Sequence, residues 1–326
     1  MSTVLSLQFW AFVGVVAGIY TILALGLQVQ FGFTGLLNFG HAAFMAVGAY
    51  TMAILVVKQG WPLWAAAPAA IAAAVAFGLL LGLPTLRLRA DYLAITTIAF
   101  AEIVRYVAIN EQELTGGPVG TIALAGPGQA ASYNRDWLAF QAGVQERLEG
   151  LLGDDATKDV TMLVIVWTVA LVLLLLVEAM VRTPWGRVLR AIRDDEDAAA
   201  ALGKNVFAYK LQALAVGAAL GAIAGLFFAF QLSFFSPGDF DPLVTFFAYT
   251  IVILGGTGRT WAVPVGAVVF GVIFAGTRFF DFAPFSLLES AERAYVRLIV
   301  IGLILIGLVL FRPQGLLGKR EEMLLE

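Results

Sequence analysis

The sequence predicts an all-α, polytopic membrane protein with about 8–10 transmembrane or re-entrant helices, and three observations carry that prediction. Hydrophobic residues fill 60% of the 326 positions, while charged residues fill only 13%. Mean hydropathy is +0.89. Soluble domains carry roughly 25% charge and 45–50% apolar residues, so the chain departs in both directions at once. Third, no Asp, Glu, Lys or Arg occurs before Lys58. A soluble core in a chain of this size could not absorb so many apolar side chains; a bilayer can.

A membrane helix needs about 20 mostly apolar residues. Such stretches fall at residues 9–30, 41–57, 61–83, 92–110, 160–181, 209–232, 243–254, 261–277 and 296–311. No basic n-region precedes the first, so it reads as a retained span rather than a cleaved secretory signal. The stretch at 243–254 is the shortest. Segments broken by Gly or Pro can be re-entrant when protein surrounds them, and Gly32-Phe33-Thr34-Gly35 marks another such break.

Lys and Arg mark the cytoplasmic ends of spans. Arg87 and Arg89 form one cluster; Arg182, Arg187, Arg190 and Arg193 a denser one; Arg312, Lys319 and Arg320 the tail. Counting spans puts all three on the same side. The organisation expected is one transmembrane domain over residues 1–318 with a cytoplasmic tail at 319–326. Residues 111–159 fall outside as an acidic loop that either helps to dock a protein or simply stays solvated, the second being preferred, and 183–208 form a cytoplasmic loop. The N-terminus carries no charge to orient it; counting back from Arg87 places it outside if both first segments span.

Gly217, Gly221 and Gly225 recur every fourth position and so line one helix face; Gly14/Gly18 and Gly78/Gly82 repeat the spacing. Lipid tails are as apolar as Leu, so membrane helices associate through close backbone approach, which small residues permit. Three in register predict a packing face.

The chain lacks its own energy source. Gly255-Gly256-Thr257-Gly258-Arg259-Thr260 misses the phosphate-loop spacing and its Lys, so a tight turn between membrane segments is the better reading. Gly203-Lys204-Asn205 lacks the Ser or Thr that would bind magnesium. Cys is absent and a single His is present, which excludes thiolate metal sites and argues against His-based ones. A net charge of −3 without a basic stripe gives no sign of nucleic acid. A membrane enzyme finds no support, because no intramembrane nucleophile–base pair exists.

Ion-driven carriers place carboxylates or His inside their spans. Here the mid-span acid is Glu102, with Arg105 three residues later on the same face. A lone charge at mid-bilayer costs about 2.5–3.5 kcal/mol on insertion scales, which pairing lowers. Two readings stay open for this pair: a structural ion pair, and a part of the substrate path. His41 follows Asn38 and Gly40 beside the segment break and reads first as a satisfied helix-terminus residue, with Asn38 and His41 also candidates for the path.

Residues 183–208 are the polar feature to explain. Thr183-Pro184 starts a helix, on which Arg187, Arg190 and Arg193 fall three apart and give one basic face. The acidic run Asp194-Asp195-Glu196-Asp197 leads into Ala198, Ala199, Ala200 and Ala201. That order suits a short helix with negative charge at its N-terminus, ended by Gly203. Two short helices with a charged hinge are expected, and the acidic run with its Ala face suggests that something docks there.

These residues carry a resemblance. Asp197-Ala198-Ala199-x3-Gly203 has the spacing of the EAA loop by which permeases of bacterial ABC importers contact their ATPases, with Asp for Glu and the hydrophobic pattern further along unmatched. The whole chain resembles the LivM-type permease of branched-chain amino-acid ABC importers. The matching stretches run from Gly35-Leu36-Leu37-Asn38-Phe39-Gly40-His41 through Arg87-Leu88-Arg89-Ala90-Asp91-Tyr92-Leu93, Leu114-Thr115-Gly116-Gly117-Pro118 and Trp185-Gly186-Arg187 to Leu254-Gly255-Gly256-Thr257-Gly258 and Arg312-Pro313-Gln314-Gly315-Leu316. Ala90 stands where that family has Gly, and residues 126–159 resemble nothing firm.

The resemblance implies a non-enzymatic subunit of the bacterial cytoplasmic (inner) membrane. It implies a LivH-type second permease that completes the path, with two cytoplasmic ABC ATPases binding ATP and magnesium in place of any cofactor here. An extracytoplasmic substrate-binding protein delivers cargo. The expectation is that the two permeases meet across the small-residue helix faces. Urea and short-amide importers share this architecture, although Asp91-Tyr92-Leu93-Ala94-Ile95 and Leu114-Thr115-Gly116-Gly117 look more like the amino-acid branch. A stand-alone channel or secondary carrier is the alternative from another class.

Overall fold

The computed structural model describes residues 7–121, 133–153, 157–232, 234–276, 290–311 and 314–318. Arg312, Lys319, Arg320 and the 319–326 tail lie outside these, as do 126–132 and 154–156 of the outer segment.

The chain opens with α1 (Leu7–Leu27), which continues as a turn of π-helix, Gln28–Gly32. An irregular stretch at 35–40 precedes α2 (His41–Val57), α3 (Leu63–Thr85) and α4 (Ala90–Asn110). A single turn, α5 (Gln112–Thr115), leads into the acidic segment, where α6 (Tyr133–Leu152) forms. Then come α7 (Lys158–Arg182), the short pair α8 (Pro184–Asp194) and α9 (Glu196–Ala201), and the long α10 (Val206–Leu232). The remainder comprises α11 (Leu243–Gly255), α12 (Ala262–Gly276) and α13 (Ser290–Phe311). Each stretch that the sequence marks as a span falls on a helix over most of its described residues, with the first beginning at Leu7 and the last at Ser290.

Among the described residues, five helices are long and apolar enough to cross a membrane: Leu7–Gly32, α3, α4, α7 and α10. Three shorter apolar helices, α2, α11 and α12, pack with them, and α13 lies against α11 and α12. A helix that is apolar all round belongs in the interior, and α1 fits, with α7, α10, α11 and α12 around it. The 13 residues of α11 span only about 20 Å. It is enclosed accordingly: Val244, Thr245, Phe247, Ala248, Ile251 and Val252 are all buried. In contrast, α7 leaves Leu171, Val172, Leu175 and Leu176 exposed, an aliphatic stripe suited to lipid.

The glycine spacing does its work inside the chain, which corrects the expectation that it meets a partner permease. Gly217 faces the side chain of Gln30, Gly221 the Cβ of Phe44 and Gly225 the backbone of Met45, so the α10 stripe lies on the α1 end and α2. Gly78 and Gly82 of α3 face Ala218, Leu211 and Leu214 of α10, and Gly14 and Gly18 of α1 face Leu163 and Val166 of α7. These close approaches hold α1, α2, α3, α7 and α10 as one block.

The acidic segment holds more structure than a loop reading conveys. It contains α6, whose Trp137 stacks on Phe230 of α10 at 4.2 Å and 7°. Gln141 donates to the carbonyl of Lys158, and Asp136 accepts from the backbone of Leu63 at the start of α3. Trp137, Gln141, Val144 and Leu148 make the inward stripe. Their helical spacing was hidden by the charges interleaved with them.

Candidate functional site

The backbone leaves helical form at a buried place. Irregular backbone at membrane depth is tolerated only where protein satisfies its polar groups, and bonds from α4 and from the π-helical turn meet the stretch at 35–40, while α10 and α11 hold the residues that flank it. Phe39 N–H donates to Thr97 Oγ1 of α4 at 3.0 Å, and Ala42 N–H to Thr245 Oγ1 of α11 at 2.9 Å. Asn38 bridges within the break: its Nδ2 donates to Gln30 Oε1 at 2.9 Å, while its Oδ1 accepts from Gly40 N–H at 2.9 Å. Gln30 Nε2 in turn donates to the Leu214 carbonyl of α10 at 3.3 Å, in the space that Gly217 leaves by lacking a side chain. Gln28 Nε2 donates to the carbonyls of Gly256 and Arg259 at 3.3 and 3.1 Å, which ties the π-helical turn to the Gly255–Thr260 loop. Gln28, Gln30, Asn38, His41 and Thr245 are wholly buried.

Gly35 and Gly40 make the turn feasible. Gly35 sits at φ +70°, a conformation that costs other residues roughly 1–2 kcal/mol. A Cβ on Gly40 would run into the Thr97 carbonyl.

The arginine-rich loop reaches this break directly. Arg193, the penultimate residue of α8, donates from Nη1 to the carbonyl of Gly32 at 2.6 Å. Its backbone and Cβ lie against Gly35, and its guanidinium lies beside Gly258. The loop itself is two short helices. Asp195 caps α9 by accepting from Ala198 N–H at 2.9 Å. Gly203 N–H donates to Ala200 O and Lys204 N–H to Ala199 O, with Gly203 at φ +77°, the glycine-ended Schellman stop. Glu196 pairs with Lys210 at the start of α10.

Several predicted roles change on this geometry. The basic face of α8 is not wholly offered outward: Arg190 donates to the carbonyls of Val181 and Gly186 at 2.8 and 3.3 Å, and Arg193 to Gly32. Arg187, Asp194 and Asp197 are exposed, as are Ala198, Ala200 and Ala201. Ala199 turns inward and packs with Ile192 and Val206, so it belongs to the loop's own small core. Leu202, which the sequence did not single out, is 79% exposed beside that Ala face. Its place immediately after an Ala run and before a capping Gly was the available signal.

The four candidate path residues separate into two places. Asn38 and His41 are sealed in the interior, where His41 Nε2 lies 3.0 Å from the Leu23 carbonyl and Nδ1 has no partner among the described residues. Glu102 and Arg105 form a bidentate ion pair, 2.7 Å at its shortest, each about a quarter exposed on the flank of α4. No hydrogen bond among the described residues joins that pair to Asn38 or His41. Gln28, Gln30, Thr97 and Thr245 were not legible as site residues, because isolated amides and hydroxyls in apolar spans carry no spacing signature.

Comparison with known proteins completes this picture. The family model described as "Branched-chain amino acid transport system / permease component" matches residues 10–309. The high-affinity branched-chain amino acid transport system permease protein LivM of Escherichia coli (strain K12) is 35% identical over 312 residues, 94% of this chain and 69% of the relative. A probable LivM protein of Methanocaldococcus jannaschii is 26% identical over 93% of this chain and 91% of its own length. LivH of Escherichia coli (strain K12) is 25% identical over 93% of this chain and 92% of its length. A broken first helix, an internally packed glycine framework and a charged loop seated on the break thus occur in a chain that belongs to the branched-chain amino acid permease family, in its LivM-type branch.

Proposed function

We propose that this chain is the transmembrane permease subunit of an ABC importer that carries branched-chain or related hydrophobic amino acids inward across the bacterial cytoplasmic membrane. Separate cytoplasmic ATPases supply the energy, holding ATP and magnesium in their own sites. A LivH-type permease completes the path, and an extracytoplasmic binding protein presents the substrate. Family membership and relatives bearing both LivM and LivH names support this reading.

The observation that carries it is the Arg193–Gly32 bond. In this reading α8 and α9 are the coupling loop. Leu202, Asp197 and the exposed Ala face receive the ATPase; α8 moves with them. Arg193 then pulls on the end of α1, where Gln28 passes displacement to the Gly255–Thr260 loop, Gln30 to α10 and Asn38 to the start of α2. A rigid element seated on a discontinuous helix is a physical means of shifting helices between two packed arrangements. Glu102 and Arg105 stand on the flank of α4 that the second permease or the path would cover.

Reconstitution tests the reading. Liposomes holding this chain, the second permease and both ATPases should take up radiolabelled leucine only with ATP on the ATPase side and binding protein on the other. Leucine uptake by this chain alone would overturn it in favour of a channel or secondary carrier.

A further inference from the structure

A second polar site lies beside the coupling loop. A cavity of about 410 Å³ opens between the last turn of α7, the middle of α8 and the turn that starts α12. Three arginines line it, Arg182, Arg190 and Arg259, against a single acid, Glu178. None has its donors used up. Arg182 pairs with Glu178 through Nε at 2.8 Å, Arg190 gives two N–H groups to the carbonyls of Val181 and Gly186, and Arg259 gives one to the Leu317 carbonyl. A guanidinium has five N–H donors, so cationic donors remain to face the cavity. Thr260 adds a neutral one. It is 2% exposed, and its Oγ1 has no hydrogen-bond partner among the described residues. A buried hydroxyl left unpaired is costly, and it belongs to a residue that lines the arginine-bordered cavity. The 15-residue α12 begins two positions later, with the positive end of its dipole toward the same place.

The remaining walls are apolar. Phe33 and Val181 line the cavity, and the indole of Trp261, half exposed, stands at its rim. Trp at the edge of a span marks the membrane–water interface, and the arginines place this edge on the cytoplasmic side.

We infer that this cavity binds a phosphate-bearing anion, and that the headgroup of an anionic phospholipid of the cytoplasmic leaflet supplies it. Arg190, Arg259 and the Thr260 hydroxyl hold the phosphate oxygens, and the acyl chains leave past Trp261. Several forked donors around one point suit phosphate oxygens, and basic pockets between membrane helices on this side take lipid headgroups. A free phosphate would have the same polar chemistry but no use for the apolar rim.

The test uses the purified full-length chain in a neutral detergent. Native mass spectrometry with added phosphatidylglycerol should show a retained lipid, phosphatidylcholine should not, and phosphatidylglycerol alone should raise the thermal unfolding midpoint. Arg259→Gln should weaken phosphatidylglycerol retention about tenfold, the scale of one hydrogen bond to a charged group. Thr260→Val keeps the shape, weakens retention in the same direction, and serves if Arg259→Gln fails to fold. Arg135→Gln, on the opposite end of the molecule, should bind as the parent does. Equal retention of the two lipids, or parental retention in both cavity variants, overturns the site. A midpoint shift reproduced in full by inorganic phosphate without lipid overturns the lipid as its source.

Discussion

Arg193 donates to the carbonyl of Gly32 across 161 positions of sequence, joining the charged loop outside the membrane to the point where the first helix stops. The acceptor is a carbonyl freed by the break, so the bond replaces a helical partner rather than adding a surface contact. A hydrogen bond to a charged donor contributes about 1.5–3 kcal/mol. Arg193→Ala should therefore lower coupled leucine uptake by about tenfold or more while ATPase subunits still co-purify with the permease. Arg193→Lys should recover part of the activity, since the ammonium keeps the charge but reaches Gly32 with a different geometry. Loss of ATPase association together with uptake would mean that Arg193 holds the partner instead of passing on its motion.

The outer surface of the loop makes the opposite prediction. Leu202 is 79% exposed, so Leu202→Ser should leave the thermal midpoint unchanged. Reversal of Asp197 to Lys should lower it only slightly, because it places a cation in the first turn of α9. Both should weaken ATPase co-purification and leucine uptake in proportion. Gly203→Val acts through the backbone: open space surrounds the residue, and the cost of roughly 1–2 kcal/mol comes from its positive φ. That cost should misplace α9 and reduce uptake with it. Normal uptake in all three variants would remove this surface from the docking site.

How far the sequence leads can be judged from particular residues. Span positions were legible because the bilayer demands long apolar runs, and charge punctuates them at Arg87, Arg182 and Arg193. The helix pair at 184–201 was legible because Pro184, Asp195 and Gly203 are start and stop signals that act locally. The direction in which the glycine stripe faces was not, since Gly217 serves equally well against a partner's helix or against Gln30 of the same chain. Arg190 and Arg193 share a face by spacing, but only tertiary packing aims them at Val181 and Gly32. The polar network around Asn38 depends on contacts between residues as distant as Ala42 and Thr245, and no local pattern encodes such a pairing.

The glycine framework predicts a stability contrast. A Cβ at Gly225 would meet the backbone of Met45, where no side chain can rotate away. Overpacking of this kind costs typically about 1–3 kcal/mol, so Gly225→Ala should lower the thermal midpoint in detergent and reduce the yield of folded protein. Gly143 lies within α6 with nothing within 4 Å of its Cβ position. Gly143→Ala should leave the midpoint unchanged or raise it, because Ala is favoured over Gly in a helix by about 0.8–1.0 kcal/mol. Equal responses at the two sites would mean that the α2–α10 approach is looser than its geometry requires.

The last prediction decides what the Glu102–Arg105 pair is for. Its two side chains are held bidentate within one helix, each about a quarter exposed, and they neutralise one another at a depth where either alone is disfavoured. Breaking such a pair leaves an uncompensated charge, whereas replacing both members with apolar residues can be neutral or stabilising. If the pair is structural, Glu102→Gln should reduce membrane insertion and the thermal midpoint. The double variant Glu102→Leu with Arg105→Leu should restore both, with leucine KM at the parental value. If the pair borders the substrate path, the double variant should insert normally but lose uptake or raise KM, since no replacement for the charges is present where substrate passes. The side chains bond to each other, Arg105 also lies over the Tyr106 ring, and neither makes a hydrogen bond to any other described residue, which favours the structural outcome. Measuring insertion and transport on the same double variant separates the two.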